Sequence, residues 1–236
     1  MSALVSEDLL LLLLDVDRGT VPSGYAPDLG LGGALMVDLA LGGHVDLAER
    51  EGMWRGQVVV PLDGVPAPED GLLAAALARV AEKPRSPKDA VTRLGKDARG
   101  ALADRLVARG LVEQVDEKVL WLFPRTRWPE ADGRHERELR AALRATLLDD
   151  ADPDLRTAAL VALLHAVGHV HRVVHADGVG DREVKRRAKA VADRLGDGGW
   201  PAAAVTAAAT EATTAVIVAM MATAAASGGA AAASGS

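Results

Sequence analysis

The sequence predicts a predominantly α-helical protein with little β-structure, and three observations point there. Most of the chain from Ser6 to Ala226 divides into apolar-periodic segments with cap residues in front and Gly or Pro behind. One of them, Leu9 to Leu14, is apolar on every side, as a helix at the centre of a core must be. Period-two alternation, the mark of a half-buried strand, appears instead at His44 to Glu49 and is followed by the apolar run Gln57 to Val60.

Taken in order, Ser6, Glu7 and Asp8 read as a cap with an acidic first turn that suits the positive end of the helix dipole ahead of Leu9 to Leu14. A loop with Pro22, Gly24, Tyr25 and Pro27 leads to a second apolar helix, Leu31 to Leu41, stopped by Gly42-Gly43. His44 to Glu49 and Gln57 to Val60 then form a hairpin, expected to stand outside the helical core, around a turn holding Gly52, Trp54 and Gly56. Asp70 to Lys83 is amphipathic and ends at Pro84, and Ser86-Pro87 opens the next helix in cap-then-first-turn order. Ala98 to Arg109 follows, with Gly110 where a left-handed residue closes a helix. Short strands are expected at Leu111 to Gln114 and Lys118 to Phe123. Beyond them come helices at His135 to Asp149, Pro153 to Ala176 capped by Asp152, Arg182 to Leu195 capped by Asp181, and Ala202 to Ala226. Residues 1–226 read as one domain, and the Ser/Gly/Ala stretch 227–236 as a disordered tail.

Composition narrows the chemistry. The 236 residues include no cysteine, which removes disulfides, thiolate metal sites and cysteine nucleophiles and suits a reducing compartment, the cytoplasm. Acidic residues precede Leu9 to Leu14 where a secretory signal carries positive charge, and Ala212 to Ala226 is mostly Ala and Thr, short of a bilayer span. A net charge of −6 confines any electrostatic contact with an anionic surface to a local basic patch.

No catalytic set emerges. The four serines before the tail, Ser2, Ser6, Ser23 and Ser86, lie in no G-x-S-x-G elbow. His165, His169, His171 and His175 are dense, but the 165/169 and 171/175 pairs point to different faces of a continuous helix, so no metal is expected. Gly30-Leu31-Gly32-Gly33 has no preceding strand and no following Lys-Ser/Thr pair, and reads as close helix packing rather than a phosphate cradle. Lys88 to Phe123 has the outline of a winged helix carrying Arg93, Lys96, Arg99 and Arg105, yet acidic residues interrupt that surface and nucleic acid is not the expected partner. Arg182, Lys185, Arg186, Arg187, Lys189 and Arg194 read as a solvated basic helix face.

The order of three segments is more specific. The all-leucine first helix, then Gly30-Leu31-Gly32-Gly33-Ala34-Leu35-Met36-Val37-Asp38-Leu39-Ala40-Leu41 running into the His44 to Val60 hairpin, resembles the Golgi phosphoprotein 3 family. Arg105-Leu106-Val107-Ala108-Arg109-Gly110-Leu111-Val112 is similar to that family's L-V-x-K/R-G-[VL]-L segment, and Leu160 to Ala166 to its long apolar helix ending in L-x-H-A. The resemblance covers about residues 4 to 225. It implies a central helical bundle ringed by amphipathic helices, with a hairpin that mediates self-association; the expected fold is that bundle with the hairpin protruding and the small winged-helix-like strand pair read above. For eukaryotic members it implies recognition of phosphatidylinositol 4-phosphate on Golgi membranes and retention of glycosyltransferases.

The family's head-group pocket uses a Trp and an Arg from the loop before the second helix and two basic residues three apart before the L-V-x-K/R-G segment. By resemblance the basic pair falls on Lys96 and Arg99, the loop Arg on Gly32, and the loop Trp near Ser23, with Tyr25 the neighbouring aromatic. The expectation is a peripheral, non-enzymatic adaptor without a cofactor, binding an anionic phospholipid head group at Lys96, Arg99, Tyr25 and Gly32. Trp54 and Arg55 at the hairpin loop would supply membrane or oligomer contacts, with a protein client still to be identified and a place on the cytoplasmic face of a membrane. The alternatives are a protein-interaction module that has lost the lipid site and, behind it, a winged-helix DNA-binding protein.

Overall fold

The computed structural model describes residues 3–15, 20–21, 25–49, 57–119, 123–129, 131, 133–175 and 178–196. The helices are α1 (Val5–Leu13), α2 (Tyr25–Leu41), α3 (Gly71–Ala81), α4 (Pro87–Gly95), α5 (Ala98–Ala108), α6 (Arg134–Leu148), α7 (Leu155–Ala166), α8 (Val170–Val173) and α9 (Asp181–Gly196). Two antiparallel strand pairs interrupt them: β1 (Val45–Glu49) with β2 (Gln57–Pro61), and β3 (Val115–Val119) with β4 (Phe123–Arg127). The protein is therefore mainly helical, as the sequence predicts. The expected helix Ala202 to Ala226, the tail, and the hairpin turn with Trp54 and Arg55 lie outside the described residues.

The centre of the core is α1, α2 and α7, which pack on one another. Every residue of α1 is buried, and so are eight of the twelve in α7. Around them lie helices with one apolar face each: Leu73, Ala76 and Val80 on α3, and Val184, Ala188, Val191 and Leu195 on α9 recur at three- and four-residue steps and are buried. The β1–β2 register runs from Val45↔Pro61 to Glu49↔Gln57. Its base is part of the core and does not stand outside it: Val45, Val58 and Val59 are buried, and Val59 N–H donates to Arg85 O at 2.8 Å.

Four expected boundaries move, each for a local reason. α2 starts at Tyr25, six residues before Leu31, because Pro27 falls within the first turn, where a missing N–H costs no helical bond. The second strand pair begins at Val115 rather than Leu111 because the chain first closes α5. Gly110 (φ +68°) donates to Val107 O at 2.9 Å and Leu111 N–H to Leu106 O at 2.9 Å, which satisfies the last carbonyls of the helix. The long helix expected to run to Ala176 stops at Ala166 by the same device. Gly168 (φ +74°) donates to His165 O at 3.0 Å and His169 N–H to Leu164 O at 2.9 Å, and the chain resumes as the short α8. The cap of α7 is Asp154, whose Oδ1 accepts from Thr157 N–H at 2.7 Å, rather than Asp152.

The start of α1 departs furthest from expectation. Ser6, Glu7 and Asp8 are not an exposed cap and first turn; they are 0%, 0% and 1% exposed. Leu4 is the cap position, its N–H donating to Glu7 Oε2 at 2.7 Å. The next two orphan amides go to Asp38 of α2: Val5 N–H to Oδ1 at 2.7 Å and Ser6 N–H to Oδ2 at 3.0 Å, with Ser6 Oγ–H donating to Oδ2 at 2.6 Å. Glu7 accepts from Arg105 Nε at 3.1 Å and Arg109 Nη1 at 2.7 Å. Asp8 accepts from Arg156 Nη2 at 2.5 Å and faces His135 Nε2 at 2.7 Å. Buried carboxylates need such partners, since an unpaired charge away from water costs several kcal/mol.

Candidate functional site

Residues Lys96 and Arg99 sit where α4 ends and α5 begins, and the placement of that turn starts from two glycines. Ser86 caps α4 by accepting from Asp89 N–H at 3.2 Å, and Ala90, Val91 and Leu94 turn inward against α2. A Cβ on Gly32 would lie 2.1 Å from Val91 O, and one on Gly95 would lie 2.1 Å from Asp28 O. The backbones of α2 and α4 therefore touch, and no side chain fits at either position. This presses the last turn of α4 onto the first turns of α2 and leaves Lys96 and Arg99 at its outer end.

Lys96 is exposed, and among the described residues no carboxylate pairs with it. Arg99 is 31% exposed at its side chain and donates from Nη2 to Asp28 Oδ1 at 2.8 Å; Asp28, on the first turn of α2, is 36% exposed. Arg99 also borders a shallow apolar hollow with Leu10, Val21, Leu106 and Trp128. Trp128 Nε1 is buried in it without a hydrogen-bond partner among the described residues.

The structure thus brings Lys96, Arg99 and the start of α2 at Tyr25 to one end of the α2–α4 contact. Gly32 lies inside α2 and is buried with its backbone against α4, the close helix packing expected of these glycines. Asp28 and Trp128 escape sequence reading. Asp28 is 71 residues from Arg99, and Trp128 follows β4 with no periodic signal linking it to α5.

The remaining candidates find ordinary partners. Arg93 and Arg85 share Glu82 at 3.2 and 3.0 Å, Arg79 meets Asp97 at 3.4 Å, and Arg105 is divided between Glu7 and Asp70. Of the cations on the winged-helix outline, Arg93, Arg99 and Arg105 already face acids, which removes the unopposed charge that counterion release rewards. On α9, Glu183 clamps Arg186 and Arg187, and those hydrogen bonds draw its carboxyl down to about 2. The break at Gly168 leaves His165 on α7 and His171 on α8, with His169 and His175 outside both. Burial, then the Lys189 charge, lowers His165; burial, then Lys185, lowers His171. Among the described residues no three His, Asp or Glu side chains group as metal ligands would, and no helix is long and apolar enough to cross a membrane.

Comparison with protein families gives a match to the Golgi phosphoprotein 3 model over residues 5–212. The chain belongs to the Golgi phosphoprotein 3 family. No curated protein matches it significantly. Within this Golgi phosphoprotein 3 chain, all the described helices fall inside the matched region, as do Lys96, Arg99 and Asp28.

Proposed function

We propose that this Golgi phosphoprotein 3 member is a non-enzymatic, peripheral adaptor on the cytoplasmic side of a membrane that docks on a phosphorylated, anionic lipid through the α4–α5 turn. The observation that carries this reading is the exposed Lys96 beside the half-exposed Arg99 on a turn seated by the Gly32–Gly95 contact. Family membership supports it, since by resemblance the basic pair of the family's head-group pocket falls on these two positions. Lys96 closes α4 and Arg99 opens α5, so the two cations flank one short turn, and charge-assisted contacts to a shared phosphate contribute roughly 1.5–3 kcal/mol each when well formed. Tyr25, at the start of α2, and Trp54 with Arg55 in the β1–β2 connection are proposed as the flanking interface contacts.

Flotation with vesicles containing a phosphorylated phosphatidylinositol tests the site. Lys96→Ala with Arg99→Ala is expected to weaken binding by at least about tenfold. Neither side chain is in the core, so the thermal midpoint should stay close to the parent's, within about 0.5 kcal/mol of stability. A second reading, a protein-interaction module without lipid affinity, draws on one observation: Arg99 is already satisfied by Asp28. If the double variant floats as well as the parent, or the parent does not float, that second reading takes over.

A further inference from the structure

We propose that Asp28 sets which anions the α4–α5 turn accepts, holding Arg99 so that a phosphomonoester can displace it and a phosphodiester cannot. The inference rests on the lipid-docking reading of the same turn. Its starting point is the 2.8 Å contact between Arg99 Nη2 and Asp28 Oδ1, made by side chains that are about one-third exposed and so reachable by an incoming ligand.

Two features make Asp28 a standing competitor rather than a passing surface partner. Its backbone is fixed, because Gly95 of α4 leaves no room for even a methyl group between itself and Asp28 O. Arg99 leaves from the first turn of α5, directly after the turn that Gly95 ends. Both partners therefore start from rigid helices, and holding them together costs less chain entropy than a typical surface pair. A ligand must take the guanidinium from a carboxylate already in place.

The chemistry of that exchange depends on ligand charge. A phosphodiester carries one negative charge, as the Asp28 carboxylate does, so the swap gains no Coulomb energy and leaves Asp28 without its partner. A phosphomonoester carries about −1.5 to −2 near neutral pH and presents three acceptor oxygens. It can accept from Arg99 and from the exposed Lys96 together, which Asp28 has not engaged. The turn should then discriminate by charge, and Asp28 should be the residue responsible.

The test is flotation with phosphatidylcholine vesicles containing either phosphatidic acid, a monoester, or phosphatidylglycerol, a diester, matched for surface charge. The full chain is compared with Asp28→Asn, Arg99→Ala and the two combined. The parent is expected to favour the monoester vesicle by about tenfold. Asp28→Asn should raise diester binding more than monoester binding and shrink that preference to about threefold or less. Its gain should vanish when Arg99→Ala is added. Diester binding by Asp28→Asn where the parent binds the monoester vesicle alone, lost again with Arg99→Ala, is the same result in stronger form. Inorganic phosphate in competition separates the sources: displacement marks recognition of the phosphate alone, retention marks a need for the lipid head group.

Three results would overturn the proposal. Asp28→Asn could leave the preference unchanged or weaken both vesicles, which makes Asp28 a support for Arg99 rather than its competitor. Its gain could persist without Arg99, which is a general charge effect. If the parent binds and Arg99→Ala weakens it in either case, the docking site stands while the role of Asp28 falls. If neither parent nor Asp28→Asn floats, both fall together. Thermal melts accompany each variant, and Asn, nearly the size of Asp at an exposed position, should leave them unchanged.

Discussion

Changing Asp38 to Ala is expected to lower stability by about 3–5 kcal/mol, enough to leave a marginally stable domain largely unfolded at physiological temperature. Three donors lose their acceptor at once: the amides of Val5 and Ser6 and the Ser6 hydroxyl, all in a region closed to water. The loss would read out as a lower denaturant midpoint at neutral pH. Asp38 also carries a pH signature. Burial pushes its carboxyl from the ordinary 3.8 up to about 6, against the pull of its hydrogen bonds and of Arg156.

The folded state therefore binds this proton more tightly than the unfolded chain. The contribution of Asp38 is fully present below about pH 4 and is lost as pH rises through about 6. Asp38→Asn cannot titrate, so its stability relative to the parent should change across that interval and level off above it. A difference that stays flat across the interval would show that Asp38 keeps an ordinary carboxyl.

Gly32→Arg should be the second severe change, although it puts a basic residue where the resemblance places one. A side chain there meets Val91 O at 2.1 Å, Gly95 N at 2.7 Å and Gly95 Cα at 3.0 Å, backbone atoms that cannot rotate away. α4 would have to leave α2, with an expected loss of at least about 3 kcal/mol, seen as a collapsed melting transition or insoluble protein. Gly33→Ala is the control. Its nearest obstacle is the Leu163 Cδ2 methyl at 3.1 Å, the end of a movable side chain, and it should be tolerated far better. Folded Gly32→Arg protein with raised vesicle binding would contradict the packing and put position 32 at the pocket after all.

What could be read in the sequence was whatever its own neighbours determine. The end of α5 is one such case, because Arg109-Gly110 follows the last core residue of a periodic segment. The break at Gly168 is the opposite case. Val167, Val170, Val173 and Val174 keep the apolar rhythm going across it, so the same glycine device was masked by the pattern around it. The first turns of α2, residues 25–30, were lost because Pro27 reads as a loop residue when its place in a first turn is unknown, and Gly30, Gly32 and Gly33 mark no helix by themselves. Their reason for being there is the neighbouring helix, which local sequence does not show. At the candidate site the Lys96–Arg99 spacing was visible, whereas Asp28 was not, since only the packing of α2 on α4 and α5 makes it a neighbour. Glu7 and Asp8 read only as the acidic first turn of a capped helix for the same reason.

Those two buried acids also bear on how the chain can be made. Glu7 waits for Arg105 and Arg109, 98 and 102 residues downstream, and Asp8 for His135 and Arg156, 127 and 148 residues downstream. A ribosome adding about 5–20 residues per second needs roughly 7–30 s to reach the last of them. Through that interval the leucine segment lacks the α7 that covers it and Asp8 lacks Arg156. Helix α1 is thus made well before the segments that cover it, which makes a nascent chain short of Arg156 a form in need of a chaperone.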